Sequence, residues 1–132
     1  MITALDTSVI LDVITNDRSH ALRSLQAIRT ASDSGSLVIC ECVLAEIRPA
    51  LTNEETEQLL TDWNIVFKPS SKESSLRAGA MYQDYLKRSK RLGRVLPDFL
   101  IGAHAQLQCD RLLARDRGYY RDYFRGLQLI EP

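Results

Sequence analysis

The stretch Ile2-Thr3-Ala4-Leu5-Asp6-Thr7-Ser8-Val9-Ile10-Leu11-Asp12-Val13-Ile14 decides the fold. Residues 2–5 form a short apolar run suited to a buried strand. Asp6, Thr7 and Ser8 then supply the acid and hydroxyls typical of a strand running into a helix N-terminus, and residues 9–14 read as a short helix. The same alternation continues down the chain. Ala21, Leu22, Leu25, Ile28 and Ala31 recur at helical spacing until Asp33-Ser34-Gly35-Ser36 stops them, and residues 37–40 make a second strand. Val43, Leu44 and Ile47 mark a helix carrying Glu46 and limited by Pro49. An exposed acidic helix over 53–62 precedes a strand at 65–67. Ser70 to Ser75 offer N-caps for a helix whose stripe is Ala78, Met81, Tyr82, Tyr85 and Leu86. Pro97-Asp98 opens another helix with Leu100, Ala103, His104 and Leu107 on one face. Strands at 112–114 and 127–130 complete the set. Strands alternating with helices imply an α/β fold with a central parallel sheet of four to five strands, covered on both faces. No linker, repeat or low-complexity tract divides residues 1–132, so one domain is expected.

Composition agrees. Hydrophobic residues make up 45% and charged residues 26%, which is ordinary for a globular chain. The apolar start is interrupted by Asp6 and Asp12, lacks a basic leader and is too short to span a bilayer, so a soluble cytoplasmic protein without membrane association is expected. Cys40, Cys42 and Cys109 form no paired framework, which suits a reducing compartment. Cys40-x-Cys42 has the wrong spacing for a zinc knuckle, so packed thiols are expected. The net charge is zero but uneven. Residues 1–75 carry 6 basic and 11 acidic side chains and residues 76–132 carry 11 and 6, so the C-terminal part is where an anion would be held.

Four acids, Asp6, Glu46, Asp98 and Asp116, stand beside apolar stretches from distant parts of the chain. Each has a structural explanation of its own: Asp6 as an N-cap, Asp98 as an acid favoured by a helix dipole, Asp116 as the start of a turn. Glu46 is more telling, because it interrupts the apolar segment from Cys42 to Ile47. Strand ends at the C-terminal edge of an open parallel sheet converge on one crevice, where several carboxylates repel unless a cation neutralises them. An all-oxygen acidic site prefers a hard cation, Mg²⁺ with Mn²⁺ as a substitute. Such a site hydrolyses phosphodiesters with a metal-activated water. On this reading Asp6, Glu46 and Asp98 are the direct metal ligands and Asp116 holds a second metal or orders water. Thr7 or Ser8 would donate to a ligand carboxylate or to phosphate.

Other acids, Asp12, Asp17, Glu41, Glu54, Glu55, Glu57, Asp62 and Asp84, are expected on solvated helix faces. His104 is expected as a hydrogen-bonded interior histidine rather than a base. Arg117 and Arg121, with Tyr119 and Tyr120 between them, either bind phosphate and stack bases or form a snorkelling rim. The basic run Lys87, Arg88, Lys90, Arg91 and Arg94 reads either as a solvated helix end or, standing just before Asp98, as an RNA-facing loop.

Four ordered motifs carry a resemblance: Leu5-Asp6-Thr7-Ser8-Val9-Ile10; Val43-Leu44-Ala45-Glu46-Ile47; Leu96-Pro97-Asp98-Phe99-Leu100-Ile101-Gly102-Ala103-His104-Ala105; and Leu112-Leu113-Ala114-Arg115-Asp116-Arg117-Gly118-Tyr119-Tyr120. They resemble those of PIN-domain nucleases. The small size and the ending from Tyr123 to Pro132 are most similar to the VapC-type toxins of toxin–antitoxin pairs. The resemblance implies a single PIN-like domain and a Mg²⁺-dependent endoribonuclease, usually a homodimer, restrained by a cognate antitoxin whose tail occupies the groove. It matches Asp6, Glu46 and Asp98 to the metal-binding acids and Asp116 to the fourth acid. Ala114 departs from the pattern, since many members carry Thr or Ser there.

Two other phosphoryl-handling classes fail on single positions. A haloacid-dehalogenase-type phosphatase needs a second aspartate two residues after the first, where this chain has Ser8. A receiver-type phosphoacceptor needs an aspartate at a middle strand, and residues 37–40 contain none. The remaining alternative is a catalytically silent PIN-like module that binds RNA or protein.

Overall fold

The computed structural model describes residues 1–89, 95–116 and 118–132. Among them run strands β1 (Ile2–Leu5), β2 (Ser36–Ile39), β3 (Ile65–Phe67), β4 (Arg111–Leu113) and β5 (Leu129–Ile130). The helices are α1 (Thr7–Ile14), α2 (Ala21–Asp33), α3 (Glu41–Ile47), α4 (Asn53–Asp62), α5 (Lys72–Ser89), α6 (Leu96–Gln108) and α7 (Tyr119–Tyr123), with a 3₁₀ turn at Arg48–Ala50. The strands form one sheet in the order β3-β2-β1-β4-β5, and every pairing is parallel. Register puts Ala4 opposite Val38 on one side and Leu112 on the other. The α/β expectation is met, with five strands. Thr3, Ala4 and Leu5 are all buried, as a strand covered on both faces requires.

The chain winds outward from β1 to β2 and β3, then returns to place β4 and β5 on the other side of β1. The order therefore reverses between β1 and β4. That is the switch point at which open α/β sheets form a crevice beyond the strand ends. The backbone closes it tightly, with the Asp6 amide donating to the Leu113 carbonyl at 3.0 Å.

Local capping follows the sequence. Asp6 caps α1 in an extended conformation, and Thr52 caps α4 in a reciprocal box with Glu55. Ser71 accepts from the Ser74 amide at the start of α5. Helix α7 was not expected from the sequence, being only five residues long.

Burial corrects four expectations. Helix α6 does not show one apolar face. Phe99, Ile101, Gly102, Ala103, His104 and Ala105 are all buried, so it lies in the core on nearly every side, while Leu107 is only half-buried. On α2, Leu22 is 69% exposed, and Ser24 instead faces inward. The reason is Asp12, expected on a solvated face but only 3% exposed. Arg115 grips it through two hydrogen bonds of 2.9 Å, and Ser24 Oγ donates to it at 2.7 Å. A carboxylate taken so far from water needs such partners. Glu41 is also partly buried, accepting from the Ser70 amide at 2.9 Å. The interior reading of His104 holds, with its ring Nε2 against the Lys68 carbonyl at 2.8 Å. Cys40 is buried and Cys42 and Cys109 half-buried, all as free thiols.

Phe99 centres an aromatic cluster with Tyr82, Tyr85, Tyr119, Tyr123 and Phe124, ring centroids 5.1 to 6.1 Å away. It welds α5, α6 and the α7 segment together. Gly102 allows the closest approach, since a Cβ there would lie 2.5 Å from a Phe124 ring carbon. No described helix is long and apolar enough to cross a membrane.

Two predictions follow from this packing. Gly102→Ala must displace the Phe124 ring inside a filled core, and urea unfolding should show a loss of about 1–3 kcal/mol. His104 has its pKa lowered, chiefly by burial, and its Nδ1 is buried without a hydrogen-bond partner, so the folded chain keeps it neutral. The unfolded chain takes up a proton near pH 6.5, before the folded one. The stability that depends on His104 is thus fully present above about pH 6.5 and is lost as pH falls towards the folded value. Unfolding curves between pH 7.5 and 5 should therefore slope less for His104→Gln than for wild type.

Candidate active site

A cleft of about 240 Å³ opens at the crevice beside β1, lined by Asp6, Thr7, Ser8, Leu11, Glu46, Pro97, Asp98, Arg115, Tyr119 and Tyr120. Three of the four sequence-selected acids meet in it, each from a different element: Asp6 from the end of β1, Glu46 from α3 and Asp98 from the first turn of α6. Asp116 does not line it.

Asp6 is 6% exposed, and both of its oxygens are engaged. Oδ2 accepts from the Ser8 amide at 3.1 Å and from the Ser8 hydroxyl. Oδ1 accepts from the Tyr120 hydroxyl at 2.6 Å. The Arg115 amide donates to Ser8 Oγ at 3.3 Å, linking the segment after β4 to the same group. Glu46 is more exposed than its apolar neighbours suggested, because it sits on the cleft side of α3. The Thr7 hydroxyl donates to it at 2.7 Å. Asp98 lies half-buried beside Pro97.

Charge is distributed unevenly among the acids. Asp12 is matched to Arg115, and Asp116 has Arg121 Nε 3.5 Å from its Oδ2. Among the described residues, the donors to Asp6 and Glu46 are neutral: hydroxyls and one amide. Arg115 lines the cleft, but its guanidinium is committed to Asp12. The described hydrogen bonds to Asp6 and Glu46 thus orient these two carboxylates without neutralising them. Tyr120 feels the acids' charge. Burial first, then the charges of Asp6 and Asp98, hold the phenol well above its ordinary pKa, so it remains a donor.

The donor set suits a hard cation. It is all oxygen and anionic, and the carboxylates do not crowd into a closed cage. Among the described residues, ligand atoms of three groups come within 4.8 Å of one another at Cys40, Glu41 and Cys42, and at Asp12, Asp17 and His20, rather than at Asp6, Glu46 and Asp98. A hard divalent cation that keeps part of its hydration shell fits so open an arrangement.

Among the described candidates, Asp116, Arg121, Lys87 and Arg88 do not line the cleft. Asp116 is 2% exposed at its side chain, and its Oδ1 accepts from the amides of Gly118 (2.8 Å) and Tyr120 (3.3 Å). Arg121, 65% exposed, reaches Glu131 at 2.6 Å as well as Asp116. Lys87 is exposed, and Arg88 lies over the Tyr123 ring, 5.5 Å from its centroid. Arg88 also lines a second groove with Arg77, Asp84, Gln106, Asp122 and Arg125. Lys90, Arg91, Arg94 and Arg117 lie outside the described residues. Sequence reasoning left Tyr119 and Tyr120 as a stacking pair or a rim. Tyr119 instead packs against Phe99 and Tyr85, and Tyr120 is buried on Asp6. The one signal for this was Tyr120 falling four residues after Asp116. Ala114 is fully buried, its amide bonded to the Ile130 carbonyl.

Several solved structures share this architecture. VapBC2 from Rickettsia felis, bound to a DNA fragment from its promoter, is 19% identical, with 99% of this chain and 98% of that chain covered and a TM-score of 0.71. VapBC-1 from nontypeable Haemophilus influenzae is 21% identical over 99% and 98%, with a TM-score of 0.69. FitAcB from Neisseria gonorrhoeae is 18% identical over 98% and 96%, with a TM-score of 0.61. At these identities the likeness is one of fold. No curated protein sequence matches the chain. The model of the PIN domain family covers residues 3–124, from the second residue of β1 to the end of the aromatic cluster, and on that match the chain belongs to the PIN domain family.

Proposed function

We propose that this PIN domain is a Mg²⁺-dependent endoribonuclease, the toxin of a toxin–antitoxin pair. The observation that carries the proposal is the convergence of Asp6, Glu46 and Asp98 on one cleft, where the donors to Asp6 and Glu46 among the described residues are neutral. Asp6, Glu46 and Asp98 would hold the ion, with Mn²⁺ able to replace it. When bound, the ion supplies charge neutralisation at the phosphodiester and an activated water.

The chain's own side chains do the rest. Ser8 and Tyr120 hold Asp6 from opposite sides, so its oxygens cannot rotate away. Thr7 holds Glu46 and ties α1 to α3. Leu11, Pro97 and Tyr119 narrow the cleft with apolar surface. Asp12 keeps the Arg115 guanidinium off the carboxylates, leaving their charge available to a cation.

RNA is the substrate this reading favours, because residues 76–132 carry an excess of five positive charges. Lys87, Arg88, Lys90, Arg91, Arg94, Arg117 and Arg121 would meet its backbone. The VapBC complexes among the similar structures support a cognate antitoxin as partner. A homodimer in the cytoplasm completes the reading.

Total cellular RNA incubated with purified protein should yield discrete fragments with Mg²⁺ and none with EDTA, and Asp6→Asn should abolish them. Folded wild type and variant that are equally inert would instead favour the silent binding module. Thr7→Val keeps the shape of the side chain and removes the donor to Glu46. Cleavage rates measured across a Mg²⁺ series should show it needing about 10-fold more Mg²⁺ than wild type.

A further inference from the structure

We infer that Asp116 serves the cleft indirectly, as a positioning residue that sets Tyr120 on Asp6. Its Oδ1 accepts from the amides of Gly118 and Tyr120. Those bonds fix the entry into α7, where Gly118 takes a φ of +101° that favours glycine. Four residues after Asp116, Tyr120 is 4% exposed and its hydroxyl reaches Asp6 Oδ1 at 2.6 Å. The other Asp116 oxygen is buried, has no hydrogen-bond partner among the described residues and lies 3.5 Å from Arg121 Nε, so a cation of the chain itself stands beside it. Asp116 thus has Oδ1 committed to the α7 backbone while Tyr120 enters the cleft.

The proposal rests on the cleft being a metal site, and it separates two jobs that one acid could do. A metal ligand works through its charge. A positioning residue of this kind works through an accepting oxygen, which asparagine also supplies. Asp116→Asn therefore keeps the turn and removes the charge, whereas Asp116→Ala removes both.

Mn²⁺ binding by calorimetry, on wild type, Asp116→Asn, Asp116→Ala, Tyr120→Phe and the Asp116→Ala/Tyr120→Phe double variant, decides between them. Positioning predicts Asp116→Asn within about 2-fold of wild type. It predicts losses of about 10-fold for Asp116→Ala and Tyr120→Phe, and a double variant no weaker than Tyr120→Phe. Equal losses in Asp116→Asn and Asp116→Ala, with a double variant weaker than Tyr120→Phe, would overturn it and place Asp116 on the ion. The ¹³C resonance of the Tyr120 ring carbon bearing the hydroxyl gives a metal-free readout. It should move in Asp116→Ala and stay in Asp116→Asn. If wild type binds no Mn²⁺, the metal-site reading fails by itself, and the resonance alone upholds the positioning claim if it moves in Asp116→Ala or sinks it if it does not.

Discussion

Negative charge gathered at the end of β1 is the constraint around which the structure is arranged. Two unit charges 4 Å apart interact by about 4 kcal/mol at the effective dielectric of a protein surface, so acids sharing a crevice need a counter-charge or distance. Elsewhere the chain supplies the counter-charge: Asp12 has Arg115, and Asp116 has Arg121. At Asp6 and Glu46 the described partners are hydroxyls and an amide that orient the carboxylates without neutralising them. The contrast lies within one small domain, so it is not a shortage of arginine. Arg115 even lines the cleft and is drawn away by Asp12.

That diversion makes the Asp12–Arg115 pair more than a tether. Replacing a buried pair of this kind by apolar groups is often neutral for stability, whereas removing one partner strands the other charge. Here the pair spans from α1 to the segment after β4, the two elements that flank the switch point. Its partners are 103 positions apart in the chain. It holds the crevice walls together and commits the Arg115 guanidinium to Asp12.

The sheet was legible because parallel strands buried on both faces leave continuous apolar runs, as residues 2–5 and 37–40 do, while at the edge strand β3 the run 65–67 is apolar with only Ile65 buried. The positions of Asp6 and Asp98 were legible because each adjoins the end of an element at the sheet edge. Asp12 was not. It occupies a helix position that periodicity assigns to solvent, and nothing local announces that Arg115 and Ser24 will enclose it. Leu22 misled for the same reason, since α2 turns Ser24 towards Asp12 and leaves Leu22 outside. Glu46 was selected for a burial it does not have; its place on the cleft side of α3 depends on how α3 docks, which composition does not encode. Tyr119 and Tyr120 looked equivalent as neighbours in a polar segment, and only the direction of α7 separates them.

That separation couples the core to the cleft. Tyr119 joins the rings around Phe99, and Tyr120, one residue on, meets Asp6. Helix α6 makes the same connection from the other side, with Asp98 in the cleft and Phe99 in the cluster at adjacent positions. Two of the cleft's polar groups are thus carried by elements whose next residue is locked in aromatic packing. A short helix of five residues has little stability of its own. It holds Tyr120 in place because Tyr119, Tyr123 and Phe124 are anchored in the cluster and Asp116 caps its start. Loosening that cluster would therefore reach Asp6 through the phenol before it reached the sheet.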